Sequence, residues 1–236
     1  MKGRLVSLRA PSDEDFSLIE RWLRPLTPAA ILAGDNEMFS ADELRELNKR
    51  GEVNHLMIDT NDGRTIGTVS WRRMNCPGNF TIGAGVGDPE LWNKGYGAEA
   101  VGLLIEYLFH FRNAHRVHAM TALYNRYSIQ TIIHGDFVLE GILRDYFFLD
   151  GAYHDAAVWS MLRDEFYRLD AELKARNKEW GAQDLVPESD KEAARNAVAT
   201  YLAKGRPTSF GKYLDESDAS SNRPHRARAD VPVGGE

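Results

Sequence analysis

The segment LWNKGYGAEAVGLLIEYLFHFRNAH, residues 91–115, decides how the rest of the chain is interpreted. Its second part places apolar residues at helical spacing on one face, which predicts a long amphipathic helix. These residues are Ala98, Val101, Leu104, Ile105, Leu108 and Phe109. Its first part holds Gly95 and Gly97 where a strand meets this helix. Because backbone N–H groups at a helix N-terminus are unpaired and partly positive, glycines there let anionic oxygens approach closely, and the segment predicts an anion-binding loop.

Two well-known phosphate-binding patterns do not match this loop. It lacks the G-x-x-x-x-G-K-[ST] order of a P-loop, and Ala100 stands where G-x-G-x-x-G requires its last glycine. On these residues alone, a tight turn with close packing explains the glycine pair as well as a phosphate site does.

The residues before this segment predict an antiparallel meander. Arg4–Ala10 is typical of a first strand, and a helix follows it. A second helix is predicted to begin after Ser40 and to stop at Gly51. Asn54–Asp59 and Thr65–Arg72 are predicted strands joined by an Asn-Asp-Gly turn, which is a strong hairpin signal. A further strand in FTIGAGV then leads to the glycine loop.

The residues after the segment alternate between strand and helix patterns. RVHAMTAL predicts a strand, NRYSIQTIIHGDF a helix, and VLEGILRDYFFLDG with YHDAAVWSML two more strands. The helix should stop near Gly135 and Asp136, since both residue types tolerate a left-handed backbone better than most. The whole pattern predicts a mixed α/β fold.

Composition limits the class of protein. With 236 residues and 43% hydrophobic content, the chain can bury a sizeable core. A net charge of -6 argues against a broad nucleic-acid surface, and we expect no nucleic-acid partner. The single cysteine, Cys76, excludes an internal disulfide and a cysteine metal cluster, and His110, His115 and His118 lack metal-like neighbours, so we expect no metal. No apolar run approaches the roughly 20 residues of a membrane span, so we expect a cytoplasmic protein without a membrane partner.

The block GVGDPELWNKGYGAEA, residues 85–100, resembles motif A of the GNAT N-acetyltransferase superfamily, whose pattern is [RQ]-x-x-G-x-[GA]. It is most similar to the branch of the ribosomal-protein alanine N-acetyltransferases, in which Trp, here Trp92, often replaces the Arg or Gln. The resemblance continues through NRYSI, DFVLEG and LRDYFFLDGAYHDAAVWSML. It implies a mixed, mostly antiparallel twisted sheet of about seven strands flanked by helices, the acyl-CoA N-acyltransferase type of fold. Beyond the resemblance, helical patterns in RDEFYRLDAELKARNKEW and SDKEAARNAVATYLAKG predict a C-terminal helical extension.

The resemblance also implies a domain plan. A GNAT domain at residues 1–165 is followed by a helical extension at 166–208, and 209–236 has the composition of a disordered tail. Apolar stripes in the extension leave open a partner-binding arm and a homodimer.

Acetyl-coenzyme A as co-substrate follows from the same resemblance. The family pattern implies that the loop wraps the pyrophosphate, mainly through backbone amides, and that the thioester arm lies along the preceding strand. The residues matched to the pyrophosphate are Lys94, Gly95, Tyr96, Gly97 and Ala98, and those matched to the arm are Val86, Asn125 and Ser128.

The residue that donates a proton to the leaving thiolate differs from the one common in the family. Many family members have a tyrosine at the position of Ile132, which cannot donate a proton. A variant of this branch has a serine one turn earlier, so Ser128 is the first candidate acid, with Tyr127 and Tyr124 behind it. The alternative is that Ser128 only caps its helix, because serine is common near helix starts.

The general base is less well defined. Thr81 stands where family members often have a glutamate. Asp35 and Glu37, between the first predicted helices, could reach an amine, as could His154 and Asp155, although solvated surface roles suit each of them. A water relay without a single base is also open.

The resulting expectation is an enzyme that acetylates a primary amine by direct attack. The acceptor could be a protein N-terminus, an amino sugar, a polyamine or an antibiotic amine, hence a small-molecule or peptide partner. Because both the tyrosine and the glutamate of the common pattern are missing, the alternative is a weak or inactive coenzyme A-binding module that acts as a sensor or assembly partner.

Overall fold

A single seven-stranded sheet organises the structure, a computed structural model that describes residues 1–25, 27–33, 38–177 and 181–204. The strand order is β1-β2-β3-β4-β5-β7-β6, and all neighbours are antiparallel except β4 and β5. The strands are β1 (Val6–Arg9), β2 (Asn54–Thr60), β3 (Thr65–Arg73), β4 (Asn79–Val86), β5 (Arg116–Ala122), β6 (Val138–Leu149) and β7 (Ala152–Leu162).

The described residues contain seven α-helices. They are α1 (Asp15–Leu23), α2 (Pro28–Ala33), α3 (Ala41–Arg50), α4 (Tyr96–Glu106), α5 (Arg126–His134), α6 (Arg163–Arg176) and α7 (Glu188–Ala203). A short 3-10 turn, Pro89–Leu91, precedes the glycine loop, and α4 continues into a wide π-helical turn, Tyr107–Phe111. The predicted fold, a mostly antiparallel sheet flanked by helices, is confirmed. The short helix α2 lies in a proline-broken stretch for which the sequence pattern predicts none.

Local signals explain where several elements begin and end. The Ser40 side chain accepts from the Glu43 N–H while the Glu43 carboxylate accepts from the Ser40 N–H, a capping box that starts α3. Gly51 ends α3 with φ 70°. In the β2–β3 hairpin, the Thr60 N–H donates to the Arg64 carbonyl at 2.9 Å.

Strand alternation divides the core into two clusters. The larger cluster lies between α4 and one sheet face and includes Leu104, Leu108, Phe109, Val117 and Trp159. The smaller cluster packs α1 and α3 against the other face and consists of Phe16, Ile19, Leu44 and Met57. Because successive strand residues point to opposite faces, the neighbouring β2 residues Met57 and Ile58 contribute to different clusters.

The C-terminal helices belong to different compact units. The first unit is Met1–Ala182 and the second is Gln183–Glu236. In the first, α6 packs on the core, with the Phe166 ring stacked 4.9 Å from Phe109 and Leu169 beside it. In the second, α7 has an Arg195 to Glu188 ion pair of 2.7 Å.

The predicted domain plan remains a prediction. Its boundary at residue 165 falls within α6, and the tail at 209–236 lies outside the described residues. No helix in the described ranges is long and apolar enough to cross a membrane.

Candidate functional site

A gap opens between β4 and β5 in the middle of the sheet. The two strands pair only from Asn79 with Arg116 to Thr81 with His118. The Gly87 N–H donates to the Ile66 carbonyl of the β3 side at 2.9 Å. Because N–H direction alternates along a strand, the N–H groups of Ile82, Ala84 and Val86 point toward the gap. This edge of β4 offers donors to a bound molecule.

Trp92 ties the end of β4 to the start of α5. Its indole Nε1 donates to the Val86 carbonyl at 2.8 Å, and its ring lies 5.1 Å from that of Tyr127. The tryptophan at this position of motif A therefore has a structural role, because it orients the strand end beside the gap and places α5 next to it.

The glycine loop closes the same end of the gap. Gly95 is the N-cap of α4 with φ 85°, and a side chain there would meet Leu5 Cδ1 at 3.3 Å. The N–H groups of Tyr96, Gly97 and Ala98 belong to the first turn, where no intrahelical partner exists. Lys94 is exposed beside them. An anion can therefore reach these amides, and the cradle fits a pyrophosphate.

Glu99 fixes the loop to the first strand, a contact that the sequence analysis missed. Its carboxylate accepts the backbone N–H groups of Arg4, Leu5 and Val6 at 2.8, 2.6 and 2.8 Å. These charge-assisted hydrogen bonds hold the start of α4 against β1.

Asn125 and Ser128 form a cap at the start of α5. Asn125 is 4% exposed, and its Oδ1 accepts from the Ser128 N–H at 3.0 Å. Its Nδ2 donates to Ser128 Oγ at 2.8 Å. Asn125 is thus the capping residue, and the Ser128 oxygen that accepts this bond keeps its own O–H for donation.

The two tyrosines near Ser128 are held in different ways. Tyr127 accepts a hydrogen bond from Arg126 Nη2 at 3.0 Å, and the Arg126 guanidinium lies 4.8 Å above its ring. Tyr124 donates to the Ile31 carbonyl at 3.2 Å, and burial raises the pKa of its hydroxyl. Since the Tyr124 proton is engaged by α2, this tyrosine suits proton donation less well than Ser128.

A cavity of about 290 Å³ lies against the α1–α3 face of β4. Its floor is formed by Gly83, Gly85 and Gly87, which alternation places on that face. A side chain built at Gly85 would meet nothing within 4 Å, whereas one at Gly83 would meet Ser70 Oγ at 3.0 Å. The bare strand leaves room for a second molecule beside the gap.

His55 and Arg72 lie in the wall of this cavity. His55 is 7% exposed, and its Nδ1 has no hydrogen-bond partner among the described residues. Burial, with a smaller effect of Arg72, lowers the pKa of His55 to about 4, so the ring is neutral near pH 7.

Comparison with known proteins agrees with this geometry. The family described as Acetyltransferase (GNAT) domain matches residues 6–137. N-acetyltransferase p20 of Bacillus licheniformis is 31% identical over 171 residues, which cover 68% of this chain and 94% of that protein. The chain belongs to the GNAT acetyltransferase family.

Solved structures share the fold of this GNAT enzyme. The spermidine N-acetyltransferase of Vibrio cholerae, in complex with CoA and spermine, superposes with a TM-score of 0.62 at 22% identity, covering 68% of this chain and 97% of that one. The ribosomal-protein-S5-alanine acetyltransferase of Vibrio fischeri gives 0.59 at 23% identity, covering 70% and 97%.

The GNAT enzyme is an N-acetyltransferase that uses acetyl-coenzyme A. The observed gap, the first-turn amides and the Gly95 conformation fit this co-substrate. Within the described part of the chain, no group of three or more His, Cys, Asp or Glu side chains could hold a metal ion.

Not all of the site residues predicted from the sequence lie close together in the described structure. Val86, Trp92, Tyr127 and the loop lie together, with Ser128 one residue beyond Tyr127. Asp35 and Glu37 lie outside the described residues. At the position where many family members have a tyrosine, the side chain of Ile132 is buried in the larger core cluster and has a packing role.

The cavity residues His55, Ser70 and Arg72 were missed by the sequence analysis. A signal was present in FTIGAGVG, where glycines at every second position predict a strand with one bare face. The identity of the facing side chains depends on the pairing of β2, β3 and β4, which the sequence alone does not reveal.

Proposed function

We propose that the enzyme transfers acetyl from acetyl-coenzyme A directly to a primary amine, without a covalent enzyme intermediate. One observation supports this most. Residues 82–85 of β4 border the gap on their unpaired edge and also line the cavity. Two reactants can therefore approach the same stretch of backbone from different sides, which direct attack requires.

The gap and the glycine loop form the co-substrate side of the proposed site. Acetyl-coenzyme A would supply the acetyl thioester. The amides of the loop, with Lys94, would bind its pyrophosphate, and Val86 would offer main-chain groups to the arm. The gap-facing N–H groups of Ile82 and Ala84 would stabilise negative charge on the carbonyl oxygen as the amine attacks.

Ser128 is the proposed donor to the departing thiolate. Its Oγ accepts from Asn125 and so keeps a proton to donate. A thiol has an ordinary pKa of about 8.5, so a thiolate is a fair leaving group and the donor needs to contribute only modestly. Tyr127, whose hydroxyl accepts from Arg126, is the second candidate.

We propose that Asp35, Glu37 or a water relay deprotonates the amine. The neighbouring pair His154 and Asp155 has other contacts. Asp155 accepts from the Asp145 N–H at 2.9 Å, and the His154 ring lies 5.2 Å from that of Tyr124.

The acceptor is proposed to be a small-molecule or peptide amine. The spermidine N-acetyltransferase solved with spermine supports a small amine, and the ribosomal-protein-S5-alanine acetyltransferase supports a protein acceptor. We also propose that the enzyme associates with itself as a homodimer. A spermidine N-acetyltransferase of Vibrio cholerae that superposes on this chain with a TM-score of 0.58 is dodecameric, which supports self-association. Sedimentation velocity tests it, and a monomer at all concentrations would contradict it.

Filling the cavity tests the proposed function. Gly85→Val should raise the KM for amine acceptors at least about tenfold, because the new side chain occupies the open space above the strand. The affinity for acetyl-coenzyme A, measured by calorimetry, should stay the same, since the side chain points away from the gap.

Gly141→Val is the matched control, because Gly141 also lies in a strand with open space around it. Both variants are assayed by release of the coenzyme A thiol with a broad panel of primary amines. An unchanged KM in Gly85→Val, or no turnover of any amine by the wild-type enzyme, would contradict the proposal.

A further inference from the structure

The described lining of the cavity contains a single charged side chain, whereas the adjoining pocket, which shares Phe39 and Leu47 with it, is lined by Asp42, Glu43 and Glu46. Among the described residues that line the cavity, Arg72 is that charged side chain. The other walls are apolar or neutral: Trp22, Leu23 and Leu44 from the helices, and the hydroxyls of Ser70 and Thr81 from the sheet. His55 adds no charge near pH 7, because its pKa is lowered to about 4. The described lining is therefore positive overall.

Arg72 is not held by an ion pair, unlike Arg9 and Arg116 of this sheet, and Arg73 and Arg144 likewise have no ion pair among the described residues. Arg9 pairs with Asp15 and with Asp59, the latter at 2.7 Å, and Arg116 pairs with Glu140 at 3.0 Å. Arg72 has no ion pair among the described residues, and its charge is felt by His55 across the cavity wall. An exposed arginine is often only solvated, but this one stands beside a buried neutral histidine whose Nδ1 lacks a described partner.

The register places Arg72 close to the reacting strand. Arg72 pairs with Thr81, the last β4 residue to pair with β5, and Ser70 pairs with Gly83. Alternation along β3 turns Arg72 toward the cavity and Arg73 toward the opposite face. A group bound by Arg72 would therefore lie beside the point where the gap begins.

The sign of this charge selects between acceptors. A second ammonium group that lay beside Arg72, as in a polyamine, would be repelled by the guanidinium. A carboxylate or phosphate group is attracted, and it matches the planar donor fork of arginine.

We propose that the acceptor is an amine whose far end bears an anionic oxygen group, a carboxylate or a phosphate, and that Arg72 binds this group in the cavity. The inference rests on the proposed function and narrows its substrate class. It separates this enzyme from the spermidine N-acetyltransferase whose structure contains spermine.

Amines of equal length but different charge test the inference. The probes are hexylamine, 6-aminohexanoate, 6-aminohexylphosphonate and 1,6-diaminohexane, together with their four-carbon counterparts. We expect kcat/KM for the better anionic probe to exceed that of the matched alkylamine and diamine at least about tenfold, as one charge-assisted contact allows. The ratio of the two anionic probes distinguishes a carboxylate from a phosphate acceptor.

Arg72→Gln should remove this preference, lowering the ratio of kcat/KM for the anionic probe to kcat/KM for hexylamine about tenfold. Arg72→Lys should retain part of it. Arg73→Gln is the matched control, since it removes the same charge from the adjacent exposed position on the other face. Far-UV circular dichroism and acetyl-coenzyme A calorimetry verify that the variants fold and bind the co-substrate.

The outcomes separate the two proposals. Turnover of amines without an anionic preference, or an equal effect of Arg72→Gln and Arg73→Gln, overturns the inference and leaves the proposed function standing. A preference for the diamine also overturns it. No thiol release with any amine of the broad panel overturns the proposed function and the inference with it.

Discussion

His55 shows how a single residue couples this cavity to the stability of the fold. Its ring is buried beside Phe16, with ring centroids 6.5 Å apart, and its backbone N–H donates to Asn48 Oδ1 at 2.8 Å. A neutral histidine fits this place, whereas an imidazolium would lose its hydration and face Arg72. The residue therefore opposes folding at acid pH.

The pH dependence of stability follows from this burial. Because the pKa of folded His55, about 4, lies below the ordinary value of 6.5, the unfolded chain binds the proton first as the pH falls. Stability should be fully present above pH 6.5 and should decrease by up to about 3 kcal/mol as the pH approaches 4. Urea denaturation at several pH values measures it.

His55→Gln should make this decrease smaller. Some of it should remain, because burial and Arg116 also lower the pKa of His118. His115→Gln, a change at an exposed position, is the control. An identical pH dependence in the wild-type and His55→Gln proteins would show that the imidazole is not responsible.

Ser128 allows a separate test of catalysis at the same scale. Ser128→Ala should lower kcat roughly 10- to 100-fold, because the Oγ proton is removed, with little change in acetyl-coenzyme A affinity. The cap survives the substitution, since Asn125 Oδ1 accepts from the backbone N–H of residue 128. Pre-steady-state thiol release measures the step.

Thr131→Val is the control for Ser128→Ala, since Thr131 Oγ1 donates only to the Tyr127 carbonyl within the same helix. A kcat equal to that of the wild type would leave Ser128 as part of the cap alone.

At the scale of elements, the end of α5 shows how one departure from a common pattern is accommodated. The Asp136 N–H donates to the Ile133 carbonyl at 3.1 Å, and the Phe137 N–H donates to the Ile132 carbonyl at 3.3 Å. These two bonds form a Schellman motif. Asp136 occupies its left-handed position with φ 56°, while Gly135 has φ -86°. The helix α5 therefore still ends at this point, and Asp136 carries the backbone strain of the left-handed conformation.

Relieving this strain should stabilise the protein. Asp136→Gly should raise the free energy of unfolding by about 1 kcal/mol, because glycine adopts the left-handed region without a Cβ penalty. Chemical denaturation measures the change. A loss of stability in Asp136→Gly would mean that the carboxylate contributes more than the backbone strain costs.

At the scale of the whole molecule, α6 belongs with the core that it follows. Besides the Phe166 stack, Arg163 Nη1 donates to the carbonyls of Phe109 and Ala114 at 3.1 and 2.9 Å. Asp170, 7% exposed, binds Lys174 Nζ at 2.7 Å and accepts from the Ala182 N–H at 2.6 Å. The Arg163 hydrogen bonds and the Phe166 stack hold α6 against the π-helical end of α4, and Asp170 joins Ala182 to α6.

Two truncated chains measure how much α6 contributes to the free energy of unfolding. The first truncated chain ends at Ala182 and keeps α6. The second truncated chain ends at Glu165, and its free energy of unfolding should be lower by roughly 2–4 kcal/mol, because Phe166 and Leu169 no longer cover the core. Equal stability of both truncated chains would contradict the packing role of α6.

The sequence predicts those parts of this molecule that depend on neighbouring residues. The periodicity of α4, the capping box at Ser40 and the Asn-Asp-Gly hairpin are local signals, and each produced the expected element. The cavity could not be predicted in this way, because His55, Arg72 and Gly85 come from three strands that meet only through the register of the sheet. The same holds for Trp92, whose contacts with Val86 and Tyr127 require the folded chain.

The Glu99 contact with the first strand has a consequence for synthesis. Its carboxylate binds N–H groups that lie 93 to 95 residues earlier in the chain. On the ribosome, β1 to β4 are therefore made before Glu99, the last anchor of the first strand, emerges. We expect the glycine loop and the start of the first strand to be secured together at that point, before β5, β6 and β7 are made.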